Sequence, residues 1–509
     1  MPTVKTDRMT YVGLTTQKGT EAYLGIPYAK PPVGPLRWKA PEPLDPEEGV
    51  RDCTRFGNSA LQKYDPVMYA SRRQQSEDCL TLNVWVKNSK ADKLPVMVFI
   101  HGGAYVEGGS SDPMYDGTNF TDRNDVVLVT INYRVNLFGY MNLASLPGGE
   151  EYRQSGYLGL MDQVAALRWV KENISYFGGD PDRVTVFGES CGSGSTMLLS
   201  VTPAAKGLFQ RAIGESGPIQ LYNTPESTAP YAHEFMEMMG CKTAQELAAV
   251  PVGDIMMKFT GDFFAKHIHE ISLIFAPTTD GDYLPAKPMK AFKDGAAKDV
   301  EILMGCNADE FAYWKLYFKD FANEMPDFWH HQAIFHFDGK LDSDKYEKLW
   351  AQTYPDQDPA ARYLEYTNQI GFRVGTNLMC EYQSKYNKVY QYLFTYASKI
   401  PGMGSCHAIE LPFVLHNTQR PDLPKTMTGE VPPMHLADEM NDAWCSFAAN
   451  GEPVSGRGDR WTDYSPEHPD TMVINEEGWK LERDVNKKNM DLLRPAFEEC
   501  LLDEGPESK

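Results

Sequence analysis

No apolar run in this sequence is long enough to cross a bilayer. The strongest, Val96–Ile100 and Val126–Ile131, are strand-sized. The opening residues, Met-Pro-Thr-Val-Lys-Thr-Asp-Arg, hold no apolar stretch of the kind that directs secretion. Basic residues are in deficit, 49 against 70 acidic, which leaves a net charge of −21. That field repels a nucleic-acid backbone or an anionic membrane, and no Lys/Arg-rich run offsets it. Neither is expected as a partner, and membrane insertion is not expected. Cysteine is sparse and odd in number, nine in 509 residues. With no export signal, free thiols in the reducing cytoplasm are the simplest expectation. Repeats and low-complexity tracts are lacking too.

What remains suits a large folded enzyme. Apolar residues make up 42% and aromatics 12%, enough for a sizeable core. The length would accommodate about three average domains, yet no linker divides the chain, and one unit over 1–509 is expected. Short apolar runs bounded by polar or Gly residues predict strands at Thr20–Gly25, Leu80–Val86, Leu94–His101 and Val126–Tyr133. From Leu158 to Tyr176 the spacing turns helical, with Leu160, Val164, Leu167 and Trp169–Val170 on one side. Gly178-Gly-Asp-Pro181 ends that helix. Val184–Phe187 reads as a strand, Cys191–Val201 as a helix, and Val300–Cys306 and Val389–Ala397 as further strands. This alternation predicts an α/β fold, a mostly parallel sheet with helices on both faces. The stretches 220–275 and 311–377 read as irregular and rich in Met and aromatics. They are expected to lie over the strand ends, where ligands bind in such sheets.

Gly188-Glu-Ser-Cys-Gly192 fits Gly-x-Ser-x-Gly between a strand and a helix. Small residues there permit the tight turn that exposes a nucleophilic hydroxyl, so Ser190 is the candidate nucleophile. The pentapeptide alone is a weak signal. Its strand-turn-helix setting favours the functional reading over a structural Gly turn. A serine nucleophile needs an anion-stabilising pocket, and His101-Gly-Gly-Ala-Tyr105 follows a predicted strand, where an oxyanion loop sits. The expected donors are the backbone N–H groups of Gly103, Ala104 and Cys191. His330, His331 and His336 fit no standard metal spacing, and no Cys pattern or His-Glu-x-x-His accompanies them. No metal or other cofactor is expected.

With these motifs in place, the chain resembles the type-B carboxylesterase family, which includes cholinesterases, liver carboxylesterases and bacterial p-nitrobenzyl esterases, the last looking most similar. Glu77-Asp-Cys-Leu-Thr-Leu-Asn-Val and Phe177-Gly-Gly-Asp-Pro-Asp-Arg-Val-Thr-Val-Phe-Gly-Glu-Ser match the two family signatures. Similar segments extend from Tyr23-Leu-Gly-Ile-Pro-Tyr-Ala to Trp461-Thr-Asp-Tyr. The resemblance implies an α/β-hydrolase fold and hydrolysis of small-molecule carboxylic esters through an acyl-enzyme. It also implies the remaining triad members. Gly305-Cys-Asn-Ala-Asp-Glu310 supplies Glu310, with Asp309 the local rival, and His407-Ala-Ile-Glu supplies His407. The order Ser190, Glu310, His407 is that of the fold. The base is expected to titrate near an ordinary histidine value, about 6.5. The same triad serves amide, lactone and thioester cleavage, and family members without it act as binding proteins. An intact triad argues against the latter.

Three departures from the family pattern stand out. Cys191 occupies a position where the family usually has Ala, and Ser193 one where many relatives have Gly or Ala. Secreted relatives also bridge the cysteine equivalent to Cys79. The partner position is not Cys here, and the neighbouring Cys53 lies upstream, so Cys79 is expected to be a thiol.

Overall fold

The computed structural model describes residues 1–65, 72–318 and 339–502, with Glu324, Pro326, Trp329 and Phe337. Its described strands are β1 (Thr3–Lys5), β2 (Met9–Val12), β3 (Leu14–Thr15), β4 (Glu21–Pro27), β5 (Gly49–Asp52), β6 (Thr81–Val86) and β7 (Leu94–Ile100). They continue with β8 (Val127–Ile131), β9 (Gly179–Glu189), β10 (Arg211–Glu215), β11 (Glu301–Asn307), β12 (Val389–Phe394), β13 (Asp470–Asn475) and β14 (Gly478–Arg483). Strands β1, β2 and β5 form a small separate sheet. The other eleven form one sheet in the order β14-β13-β12-β11-β10-β9-β7-β8-β6-β4-β3.

From β8 to β13 neighbouring strands run parallel, while β6, β4 and β3 on one edge and β14 on the other are antiparallel. The central strands are apolar on both faces because both faces are covered. In β7, Val96, Val98 and Ile100 join one core with Leu160, Val164 and Met197 of the helices. Met97 and Phe99 point the other way, into a core with Trp444 and Phe447. This two-residue alternation makes β7 the middle of a three-layer sandwich.

The predicted helix runs over Leu158–Asn173, then tightens into a 3₁₀ turn at Ile174–Phe177. Gly178, at φ +86°, caps that turn by donating its N–H to the Ile174 and Ser175 carbonyls. The helix also buries a charge. Asp162 accepts from Arg134 Nε at 2.8 Å and Nη2 at 2.7 Å, which fixes the helix start against the loop after β8.

Some sequence expectations need amending. Strand β9 begins at Gly179, so the Gly-Asp-Pro run that ends the helix also opens the strand. Strand β10 went unread because only Ala212 and Ile213 are aliphatic within it. The stretches read as irregular are largely helical where described, at Pro225–Met238, Ser343–Thr353, Pro359–Asn368 and Val374–Gln383. Their N-terminal caps, at Thr224, Asp342 and Asp358, carried that signal. Cys53 and Cys79 are both free thiols. Among the described residues, no helix is long and apolar enough to cross a membrane.

Candidate active site

The sheet reverses its winding between β8, β7 and β9, and the loops at the carboxyl ends of β7, β9, β11 and β12 carry the predicted site. Ser190 links Glu189, the last residue of β9, to the helix Cys191–Val201. Its backbone sits at φ +59°, ψ −127°, a conformation costing roughly 1–3 kcal/mol for a non-glycine residue. Two bonds hold it there. The Ser190 N–H donates to the Glu215 carbonyl at 2.9 Å, and its carbonyl accepts the Gly194 N–H at 2.9 Å. The flanking glycines are sterically required. A Cβ on Gly188 would lie 2.6 Å from the Ile100 carbonyl oxygen, and one on Gly192 only 2.1 Å from the same atom. Ser193, the milder departure from the family pattern, donates its hydroxyl to the Gly217 carbonyl at 2.6 Å, tying the helix to the loop after β10.

After β7 the chain takes three successive positive-φ residues, Gly103 (+115°), Ala104 (+53°) and Tyr105 (+62°). This loop crosses the nucleophile turn, since a Cβ on Gly102 would lie 2.9 Å from Glu189 Oε2. The Cys191 N–H opens the first turn of its helix, where no acceptor exists within the helix. The Cys191 N–H thus directly follows Ser190, and the loop that carries Gly103 and Ala104 passes beside this turn. His101 is no rival base. Burial pushes its pKa down to about 4, its Nδ1 lies 2.8 Å from the Gly102 carbonyl, and its ring stacks on Tyr133 at 4.3 Å.

Glu310 follows β11 and His407 lies in the loop after β12. Glu310 Oε2 is 2.6 Å from His407 Nδ1, and its other oxygen accepts the Asn307 N–H at 2.6 Å. The His407 N–H in turn donates to the Glu310 carbonyl at 3.1 Å. With Nδ1 donating to a carboxylate, Nε2 is left as the basic nitrogen. Asp309, the local rival, does something else. Its carboxylate accepts the Ser405 N–H at 2.8 Å and its own N–H donates to the Ser405 carbonyl at 2.9 Å. Asp309 anchors the loop that carries His407.

His407 Nε2 lies 3.2 Å from Glu189 Oε1. Among the described residues, no hydrogen bond joins Nε2 to the Ser190 hydroxyl; such contacts commonly lengthen in a free enzyme and tighten around substrate. Burial alone would lower the His407 pKa, but Glu189 and Glu310 overcome it and raise it to about 9. The ordinary value expected from sequence therefore gives way to a raised one. Glu189 is pushed up to about 8 because its burial, helped by the Glu410 and Glu310 charges, outweighs the lowering effect of His407. Glu215 is Glu189's register partner on β10, and burial holds its pKa well above the usual range while Trp444 Nε1 donates to it. Glu410 is also raised, by burial and by the Glu310 charge, and accepts from Asn307 and Ser216. Burial thus raises all three carboxyls beside the triad, while the charged His407 ring pulls Glu189 back toward its ionised form.

Rings close the other side of the imidazole. Trp314 stacks on His407 at 5.5 Å, Phe372 lies at 5.1 Å and Tyr313 at 5.9 Å. Sequence reasoning placed Ser190, Glu310 and His407 but missed this surround. Glu189 and Glu410 were visible only as neighbours of Ser190 and His407, and long-range packing brings in Glu215, Trp314 and Phe372. His330, His331 and His336 lie outside the described residues. Among the described residues, no group of three or more His, Cys, Asp or Glu side chains could hold a metal ion.

Comparison with known proteins points to one family. A profile described as "Carboxylesterase family" matches residues 9–493. The para-nitrobenzyl esterase of Bacillus subtilis is 37% identical over 489 residues, 95% of this chain and 96% of that protein. An acetylcholinesterase of Bungarus fasciatus is 31% identical over 89% of this chain and 79% of its own. The crystal structure of a Geobacillus stearothermophilus carboxylesterase superposes with a TM-score of 0.84 at 33% identity, covering 97% of this chain and all of the other.

Proposed function

Since this chain belongs to the carboxylesterase family and is a carboxylic ester hydrolase, we propose that Ser190, His407 and Glu310 are its catalytic triad. The observation that carries this is the 2.6 Å Glu310–His407 pair, set beside a strained Ser190 turn at the carboxyl end of the sheet. Neutral His407 takes the Ser190 proton through Nε2, and the hydroxyl oxygen attacks the ester carbonyl. The N–H groups of Gly103, Ala104 and Cys191 hold the oxyanion, each worth about 2.7–4 kcal/mol of transition-state stabilisation. His407 then protonates the leaving alcohol, and water repeats the sequence to free the acid. Glu310 holds the ring's tautomer and balances its charge when protonated.

The substrates are small-molecule esters. The whole chain serves as one α/β unit, with 220–275 and 311–377 covering the strand ends. Three contacts support that role. Trp314 and Phe372, from the second stretch, pack on His407, and Leu221, from the first, accepts the Tyr105 hydroxyl at 3.2 Å. The unbridged thiols of Cys53 and Cys79 fit a reducing, cytoplasmic setting. The test is hydrolysis of p-nitrophenyl acetate by the wild type and by Ser190→Ala. Turnover that survives the substitution refutes the assignment.

A further inference from the structure

Cys191 directly follows Ser190, and its side chain does not face solvent. Its sulfur accepts the Tyr105 N–H at 3.2 Å and lies 3.9 Å from the Tyr133 hydroxyl. The Tyr133 hydroxyl gives its one hydrogen to the His101 carbonyl at 2.7 Å. Toward the sulfur it can therefore only accept. Burial pushes the Cys191 thiol up to about 12, so the sulfur keeps its hydrogen and can donate it.

The directions are consistent from end to end. The Tyr105 N–H donates to Sγ, the thiol to the Tyr133 oxygen, and the Tyr133 hydroxyl to the His101 carbonyl. The two ends of this relay, His101 and Tyr105, bracket the loop holding Gly103 and Ala104. We infer that Cys191 is a positioning residue for the oxyanion hole, whose side chain, through Tyr133, staples the His101–Tyr105 loop to the nucleophile turn. The inference rests on the triad reading above and adds a side-chain role at a position otherwise used for its N–H alone. A methyl group there could fill space but could neither accept from Tyr105 nor donate to Tyr133. The positive φ values of Ala104 and Tyr105 are the part of the loop that most needs outside support.

The experiment compares the wild type with Cys191→Ala, Cys191→Ser and Tyr133→Phe. It reads kcat and KM on p-nitrophenyl acetate and the inhibition constant of a trifluoromethyl ketone, which adds to the serine and forms an oxyanion. A loosened oxyanion hole lowers kcat about tenfold in Cys191→Ala and weakens the ketone by a similar factor, with KM nearly unchanged. Serine can accept and donate in the same directions, so Cys191→Ser returns kcat to within about threefold of wild type. The Ala and Phe changes break one relay, so the double variant is expected to be little worse than the more damaging single one.

Unchanged kcat and ketone affinity in Cys191→Ala overturn the inference. So does a fall in kcat without weaker ketone binding, which marks a merely structural loss. If Cys191→Ala fails to fold, Tyr133→Phe breaks the same relay away from the turn, and normal kcat there overturns the inference equally. A wild type that neither hydrolyses the ester nor binds the ketone removes the triad reading and this inference with it. An active wild type with an indifferent relay removes this inference alone.

Discussion

Glu189 Oε1 lies 3.2 Å from Nε2 of His407, the nitrogen that exchanges a proton with Ser190 in the proposed triad. Glu189 is the residue immediately before Ser190, at the end of β9. The His407 ring, the proposed base, therefore has a carboxyl at each of its two nitrogens, Glu310 at Nδ1 and Glu189 at Nε2.

The first prediction concerns pH. His407 is raised to about 9 by Glu189 and Glu310 against its burial, so its base form is depleted well above the ordinary histidine value of about 6.5. The acidic limb of kcat/KM is expected above that value, with activity still rising between pH 7 and 9. Glu189→Gln removes one of the two charges and moves the limb toward the ordinary value. Stability follows the same sign. A raised folded-state pKa contributes stability that is complete below the unfolded pKa and lost as pH rises through the folded one, near 9 for His407 and 8 for Glu189. Rate profiles and thermal midpoints across pH 5–10 check both. A wild-type limb at the ordinary value, unmoved in Glu189→Gln, contradicts the assignment.

The adjacent acids Asp309 and Glu310 should behave differently. Glu310→Gln leaves the ring without its charge partner and is expected to lower kcat by about 10³–10⁴. Asp309→Asn retains an acceptor for the Ser405 N–H and is expected to stay within about tenfold of wild type, since a small displacement of the His407 loop costs at most about 10²-fold. Steady-state kinetics with active-site titration separates them. Equal losses would remove the distinction drawn from their contacts.

A third prediction is about stability away from the chemistry. Arg134 and Asp162 are both buried and make a two-pronged pair at 2.7 and 2.8 Å. Asp162→Leu strands the Arg134 charge and is expected to cost about 3–5 kcal/mol in chemical denaturation. Replacing both with apolar residues should recover most of that loss. A single variant as stable as wild type would show that the pair does not hold the Leu158–Asn173 helix in place.

Much of this was legible before the fold was known, for reasons that differ by residue. Ser190 and the His101–Tyr105 loop declare themselves because tight turns restrict the residues they accept, and two of them occur in order after strands. The helix Cys191–Val201 has the bounds its sequence predicted. Glu310 and His407 came from family resemblance, since one acid among 70 and one histidine among 11 carry no local mark. The carboxyl cluster escaped because Glu189 and Glu215 meet only through the register of β9 and β10. Asp309 was read as a rival acid because its partner, Ser405, is 96 residues away. The raised pKa of His407 follows from that same unseen cluster.

The central claim is that Ser190 is the nucleophile of this enzyme. A fluorophosphonate probe, followed by peptide mass spectrometry, tests it directly. One adduct is expected on Ser190, formed in step with loss of esterase activity and absent from Ser190→Ala. An adduct on another residue, or full inactivation of the Ser190→Ala variant's remaining activity by the probe, would contradict it.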